Sequence, residues 1–211
     1  TEFPGKEAKT VYKYQATDSV LREVMSCYQV KEQPVRMAAG GQRSRIIGVY
    51  SPVGRCGKTA FAFTLGQDLA RSSKVLFLTL EECCALSALT GTEYEGGLSD
   101  LLYYYRQGEY SHLRLRGVTY SWGDLDYVPP VEYAEDFAYM KGEELAGLID
   151  LIASEGIYDT IVADLGHFFW GTEQFLSLCD VIYTPFQEDP VSLVKLEPVS
   201  YTHLRAHETG A

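Results

Sequence analysis

Short apolar runs alternate with amphipathic stretches along the chain, and the two patterns predict strands and helices in turn. Residues 46–50 (IIGVY), 75–80 (VLFLTL), 160–166 (TIVADLG) and 181–185 (VIYTP) are largely apolar at consecutive positions. Runs that short and that uniform predict strands buried on both faces, as in a parallel sheet covered by helices. VLFLTL is bounded by Ser72, Ser73 and Lys74 before it and by Glu81 and Glu82 after it. A further run, LDYVPP (125–130), predicts a strand that enters a proline-stopped loop. Between the runs, residues 60–70 (AFAFTLGQDLA) read as a helix. Residues 96–110 offer Ser99 as an N-cap, Asp100 in the first turn and Leu101, Leu102 and Tyr105 at helical spacing before Gly108. Leu145, Leu148, Ile149 and Ile152 recur three and four apart across 143–155, predicting an amphipathic helix ended by Gly156. Strands alternating with helices imply right-handed βαβ crossovers and an α/β fold with a mainly parallel sheet.

The first of these strands runs directly into SPVGRCGKT (51–59), and a helix follows. Strand, glycine loop, Gly-Lys-Thr and helix is the order of a phosphate-binding loop. Backbone N–H groups of such a loop and of the first helical turn converge on anionic oxygens, here from Gly54, Arg55, Cys56, Gly57, Lys58, Thr59 and Ala60. The Lys58 ammonium is expected to reach the outer phosphates of a nucleoside triphosphate and the Thr59 hydroxyl to ligate magnesium. One position departs from the full pattern, which has glycine where this chain has Pro52. Ligands of a parallel sheet gather outside the carboxyl ends of its strands. That rule selects Asp164, at the end of TIVADLG, as a second magnesium ligand, and Glu81, just past VLFLTL, as a group that could orient the attacking water.

Length and composition agree with this reading. A chain of 211 residues that is 46% hydrophobic is long enough for one α/β domain with a buried sheet. A formal charge of −11 repels polyanions, so direct DNA binding is not expected, and the longest basic patch is Arg114 with Arg116. No apolar run approaches the roughly 20 residues that span a bilayer, and no signal peptide is recognisable, so a soluble, cytoplasmic chain is expected. The five cysteines, Cys27, Cys56, Cys83, Cys84 and Cys179, form no CxxC pair and suit reduced thiols. Cys56 lies inside the loop, either as a small filler or as a thiol whose oxidation would block nucleotide.

From about residue 45 to 195 the order of motifs resembles the deviant-loop P-loop ATPases of the MinD and ParA type, and within them the CpaE or TadZ pilus-localisation branch. VGRCGKT (53–59) stands where that family has KGGxGKT, and KVLFLTLEE (74–82) where a strand leads into an acidic DxD element. GGLSDLL (96–102) stands for the short helix after the switch region, YDTIVADLG (158–166) for the Walker B strand, and DVIYTP (180–185) for the strand after it. The resemblance implies ATP and magnesium as cofactors, with Lys58 and Thr59 in the phosphate and magnesium roles. It places Asp164 in the Walker B role and Glu81 at the second acidic position of the DxD element. It also implies a nucleotide-dependent homodimer, pilus or polar assembly proteins as partners, and recruitment to a pole or membrane through them. Two positions depart from the family: its signature lysine falls on Val53 and the first aspartate of DxD on Thr79. Arg55, two residues on, is a candidate substitute for the missing charge.

The chain is accordingly divided into a receiver-like remnant (1–30), a linker (31–44), an ATPase domain truncated at its C-terminal side (45–197) and a foreign or disordered tail (198–211). Val20, Leu21, Val24 and Met25 share one helical face in the first of these, and Pro34, Gly40 and Gly41 mark the second. PVSYTHLRAHETGA (198–211) resembles the peptide encoded by sequencing-adapter read-through, and its His203 and His207 are not taken as a metal site. The expected function is an ATP-binding, slowly hydrolysing positioning switch. The alternatives are a non-hydrolysing scaffold with a vestigial loop and an ATPase like the bacterial tyrosine kinases. The last is suggested by 16 tyrosines and the run Tyr103, Tyr104, Tyr105, for which packing on a helix is the simpler reading.

Overall fold

A computed structural model describes residues 42–81, 86–130, 141–166, 172–186, 190 and 194–195. The predicted receiver-like remnant, most of the linker, the C-terminal tail, Glu82, Cys27, Cys83 and Cys84 lie outside the described residues. The strands are β1 (Arg45–Val49), β2 (Val75–Leu80), β3 (Tyr120–Trp122), β4 (Leu125–Val128), β5 (Thr160–Leu165) and β6 (Val181–Tyr183). They form one six-stranded sheet in the order β3-β4-β2-β5-β1-β6. Every pairing is parallel except that of β3 with β4. The helices are α1 (Lys58–Ala70), α2 (Leu86–Thr90), α3 (Leu98–Arg106), α4 (His112–Gly117), α5 (Gly142–Ser154) and α6 (Thr172–Leu178).

The sheet is covered on both sides, which is why its central strands carry no polar alternation. All six residues of β2 and all six of β5 are buried. Along β2, alternate side chains enter opposite cores: Leu76, Leu78 and Leu80 pack with α3, α5 and α6, whereas Val75 and Phe77 pack with α1. Phe63 of α1 meets the Phe77 ring edge-on at 5.3 Å, fixing that helix over the centre of the sheet. The result is a mainly parallel sheet between two helical layers, the predicted fold class.

Four details depart from the sequence-based expectation. The helix predicted from Ser99 begins at Leu98 with Gly97 as its cap, and the Gly97 N–H donates to Asp100 Oδ2 at 2.9 Å. A Cβ at residue 97 would lie 2.9 Å from the Pro129 carbonyl oxygen and 3.0 Å from that of Pro130. Glycine is thus required by a tertiary neighbour that local capping preferences do not reveal. Second, VIYTP contributes only Val181–Tyr183, and each residue is half-buried because β6 pairs with β1 alone among the described strands. Third, β4 has an antiparallel partner, β3, across a turn at Gly123 (φ 61°) and Asp124. β3 is three residues long and largely exposed, so it lacks the apolar run that marks the others. Fourth, the short helices α2, α4 and α6 carry too few turns for a periodicity to show. The helix predicted at 143–155 is α5, and Gly156 (φ 61°) ends it as expected.

Candidate functional site

The central strands end at one level, and the candidate residues stand on that rim. Asp164 pairs in register with Val49 of β1 on one side and Thr79 of β2 on the other. The glycine loop leaves β1 immediately beyond Val49 and turns into α1. Ser51, fully buried, accepts a hydrogen bond from the Val53 N–H at 3.2 Å, and the Cys56 thiol donates to the Val53 carbonyl at 3.3 Å. Arg55 adopts φ 58°, a left-handed conformation uncommon for a side-chain-bearing residue, and Gly57 follows at φ 78° and caps α1 without a side chain. Two left-handed residues in three reverse the chain tightly just before α1. Gly54, Arg55, Gly57 and Ala60 are exposed, Thr59 is half-buried, and Cys56 is buried beneath them. The burial and the contact to Val53 favour the filler reading of Cys56.

Lys58 is the pivot. Its side chain is only 5% exposed, and its ammonium forms an ion pair with Glu81 Oε1 and lies 3.8 Å from Asp164 Oδ1. Thr59 Oγ1 donates to the other Glu81 oxygen at 3.0 Å. The predicted site residues Lys58, Thr59, Glu81 and Asp164 are therefore brought together from a loop-helix junction and two strand ends. Glu81 retains 28% exposure, yet its carboxylate is engaged by both Lys58 and Thr59 rather than solvated.

Asp164 is wholly buried. Its Oδ2 accepts a long bond from Thr79 Oγ1 at 3.4 Å, and its Oδ1 has no hydrogen-bond partner among the described residues. Burial pushes its carboxyl up to about 6, and the Lys58 ammonium and neighbouring threonine hydroxyls only partly offset that rise, to which the Glu81 charge adds. A buried acid with an unused oxygen facing a lysine is a group held ready for a cation. No group of three or more His, Cys, Asp or Glu among the described residues could hold a metal alone. Magnesium here would draw on Thr59 and Asp164 together with oxygens of phosphate and water, the pattern that suits this ion. These residues fit a magnesium–nucleotide ligand.

Two participants escaped sequence reasoning. Thr79, counted there as a missing aspartate, is the hydrogen-bond partner of Asp164. Gly166 matters because a Cβ on it would lie 2.7 Å from the Leu80 carbonyl oxygen and 3.2 Å from the Glu81 Cα. Its bareness lets the end of β2 approach β5 and brings Glu81 over the loop. The glycine ending TIVADLG was a visible signal of close backbone approach. Val53 is packed in, 9% exposed, so nothing at that position projects from the loop as a long cation would.

No protein-family model matches the chain, and no curated protein matches it in sequence. Solved structures do match in fold. A putative plasmid partition protein from Borrelia burgdorferi bound to AMPPNP superposes with a TM-score of 0.62 at 19% identity, over 78% of this chain and 70% of that one. The septum site-determining protein MinD from Pyrococcus horikoshii, complexed with Mg-ADP, gives 0.63 at 20% identity over 77% of this chain and 66% of that one. The kinase domain of the Escherichia coli tyrosine kinase ETK gives 0.61 at 16% identity over 92% and 71%. The fold is therefore that of the P-loop NTPases, similar to both ParA/MinD ATPases and bacterial tyrosine kinases.

Proposed function

We propose that residues 45–197 bind magnesium–ATP and act as a nucleotide-dependent positioning switch of the MinD and ParA kind, with the CpaE/TadZ pilus-localisation branch as the functional model. The observation that carries this reading is the buried Lys58 on the first turn of α1, facing an Asp164 carboxylate oxygen that no hydrogen bond among the described residues uses. In this reading Lys58 holds the outer phosphates, and the N–H groups from Gly54 to Ala60 surround them. Thr59 and Asp164 hold magnesium, which when bound neutralises phosphate charge. Glu81 would orient the attacking water. The exposed Arg55 supplies a positive charge on the loop's rim, where a second copy of the chain could meet it in a nucleotide-dependent dimer. Residues 1–30 and 31–44 are read as a receiver-like segment and its linker, a route to pilus or polar assembly partners. Direct DNA binding is not part of this reading, given the charge of −11.

A non-hydrolysing scaffold is the second reading, favoured by the burial of Val53 where the family it resembles carries its signature lysine. A tyrosine kinase finds less support. Tyr103 is exposed, but Arg114 lies over Tyr104 at 4.0 Å, and the Tyr105 hydroxyl packs against Gly147 where a Cβ would stand. The run therefore serves in large part to pack α3. Calorimetry with magnesium–ATP tests the main reading: wild type should bind, and Lys58→Ala should lose about a hundredfold or more in affinity, as expected when a buried charge-assisted contact is removed. Equal binding by both proteins would refute it. Where binding holds, measurable turnover selects the switch and its absence selects the scaffold.

A further inference from the structure

Glu81 does more than stand near the proposed nucleotide. Its two oxygens take the two groups on which the phosphate loop depends: Oε1 pairs with the Lys58 ammonium, and Oε2 receives the Thr59 hydroxyl hydrogen. Lys58 is 5% exposed, so Glu81 covers much of the approach to its ammonium. Thr59 gives its hydrogen to Glu81 and keeps its lone pairs for a cation, so this contact orients the hydroxyl without excluding magnesium. A triphosphate drawn to Lys58 meets the Glu81 carboxylate as a like charge beside the same ammonium.

We propose that Glu81 is a built-in anionic latch, a carboxylate that engages the Lys58 ammonium and competes directly for it with the nucleotide's phosphate chain. The latch rests on the nucleotide-binding reading and adds a regulatory element to it. Its hinge is short: Glu81 directly follows β2, held against β5 by the Gly166 contact, while the carboxylate rides on three rotatable side-chain bonds. Rotation of that side chain alone clears the loop, and the 28% exposure of Glu81 gives it solvent to rotate into. Asp164, fully buried on a central strand, has no such freedom and stays behind as the second acid beside Lys58. The two acids thus divide the work, one fixed and one displaceable.

The test is binding of magnesium–ATP and of magnesium with inorganic triphosphate to the full chain, in wild type, Lys58→Ala, Glu81→Ala and Glu81→Gln, each checked for a cooperative unfolding transition. The latch predicts that Glu81→Ala tightens both ligands about fivefold to thirtyfold, the scale of losing one charged hydrogen-bonded competitor. Glu81→Gln, which keeps the shape but not the charge, should tighten them by a smaller factor. Both ligands should respond alike because the competition concerns phosphate only. Unchanged or weaker binding in Glu81→Ala, with Lys58→Ala inactive, would overturn the latch and leave the nucleotide site standing. Binding that Lys58→Ala does not impair, or binding by none of the proteins, would overturn both.

Discussion

Asp164→Asn should make the magnesium-free protein more stable at pH 7 while removing a residue the proposed site needs. Asp164 is fully buried, and its carboxyl is raised from 3.8 to about 6, chiefly by burial. At roughly 1.4 kcal/mol per tenfold change in proton affinity, holding it ionised in the folded state at pH 7 costs about 3 kcal/mol. An amide of nearly the same shape escapes that cost. It gives part of the gain back, because its NH₂ must find an acceptor and one face looks toward the Lys58 ammonium, 3.8 Å from Oδ1 in the wild type. A net gain of about 1–2 kcal/mol remains, which at this chain length corresponds to a rise in Tm of roughly 2–8 °C.

The pH dependence carries the sharper signature. An acid whose folded value lies above its unfolded value binds more protons folded than unfolded, so its contribution to stability falls as pH rises. For Asp164 the contribution is intact below the unfolded value of 3.8 and is lost as pH rises through about 6. Other carboxylates act on wild type and variant alike, so the informative quantity is the difference between the two. Thermal unfolding in chelator, followed by circular dichroism from pH 4 to pH 8, should show the variant about 1 kcal/mol less stable than wild type at pH 4 and the difference shifting in its favour by about 2 kcal/mol by pH 7. A variant less stable than wild type at pH 7, or a gap that does not change with pH, would refute the reasoning.

Gly166→Ala should destabilise the fold by about 1–3 kcal/mol, since its Cβ would meet the Leu80 carbonyl oxygen at 2.7 Å, a backbone atom that cannot turn aside. Urea unfolding measures it, and a change under 0.5 kcal/mol, about the spread of neutral surface substitutions, would show that the strand ends do not touch so closely. Val53→Lys should cost at least about 1 kcal/mol, because a residue 9% exposed has no place for an ammonium without opening the loop. Thermal unfolding at or above the wild-type Tm would contradict it. Cys179 is buried and its thiol is pushed up to about 12 by burial and by Asp180, so at pH 8 it should resist iodoacetamide until the protein is unfolded. Mass spectrometry of the peptide carrying Cys179 gives the answer, and prompt labelling of the native protein would contradict this burial.

Much of the site could be located from the chain alone, for a local reason. Lys58 and Thr59 are named by a loop whose function depends on consecutive residues, and Asp164 by its place at the end of an unbroken apolar run. Glu81 was placed at the right strand end, but whether its carboxylate met water or Lys58 depended on how closely β2 approaches β5. Thr79 looked like a lost acid because a one-dimensional pattern compares residue types, whereas the sheet register brings its hydroxyl to the Asp164 carboxylate. The Gly97 cap was misplaced to Ser99 because the deciding neighbours, the carbonyls of Pro129 and Pro130, lie some thirty residues along the chain.

By itself, then, the sequence determined what short-range physics controls: the buried strands, the long helices, the glycine loop between β1 and α1, and the α/β class that follows from their alternation. Periodicity and backbone conformational preference act over a few residues and need no knowledge of the fold. Tertiary structure alone decided the strand order, the β3–β4 hairpin, the inward packing of Val53 and the capture of Lys58 and Thr59 by Glu81. Each of these depends on distances between segments far apart in the chain, where burial, excluded volume and Coulomb attraction are settled only once the sheet has closed its register.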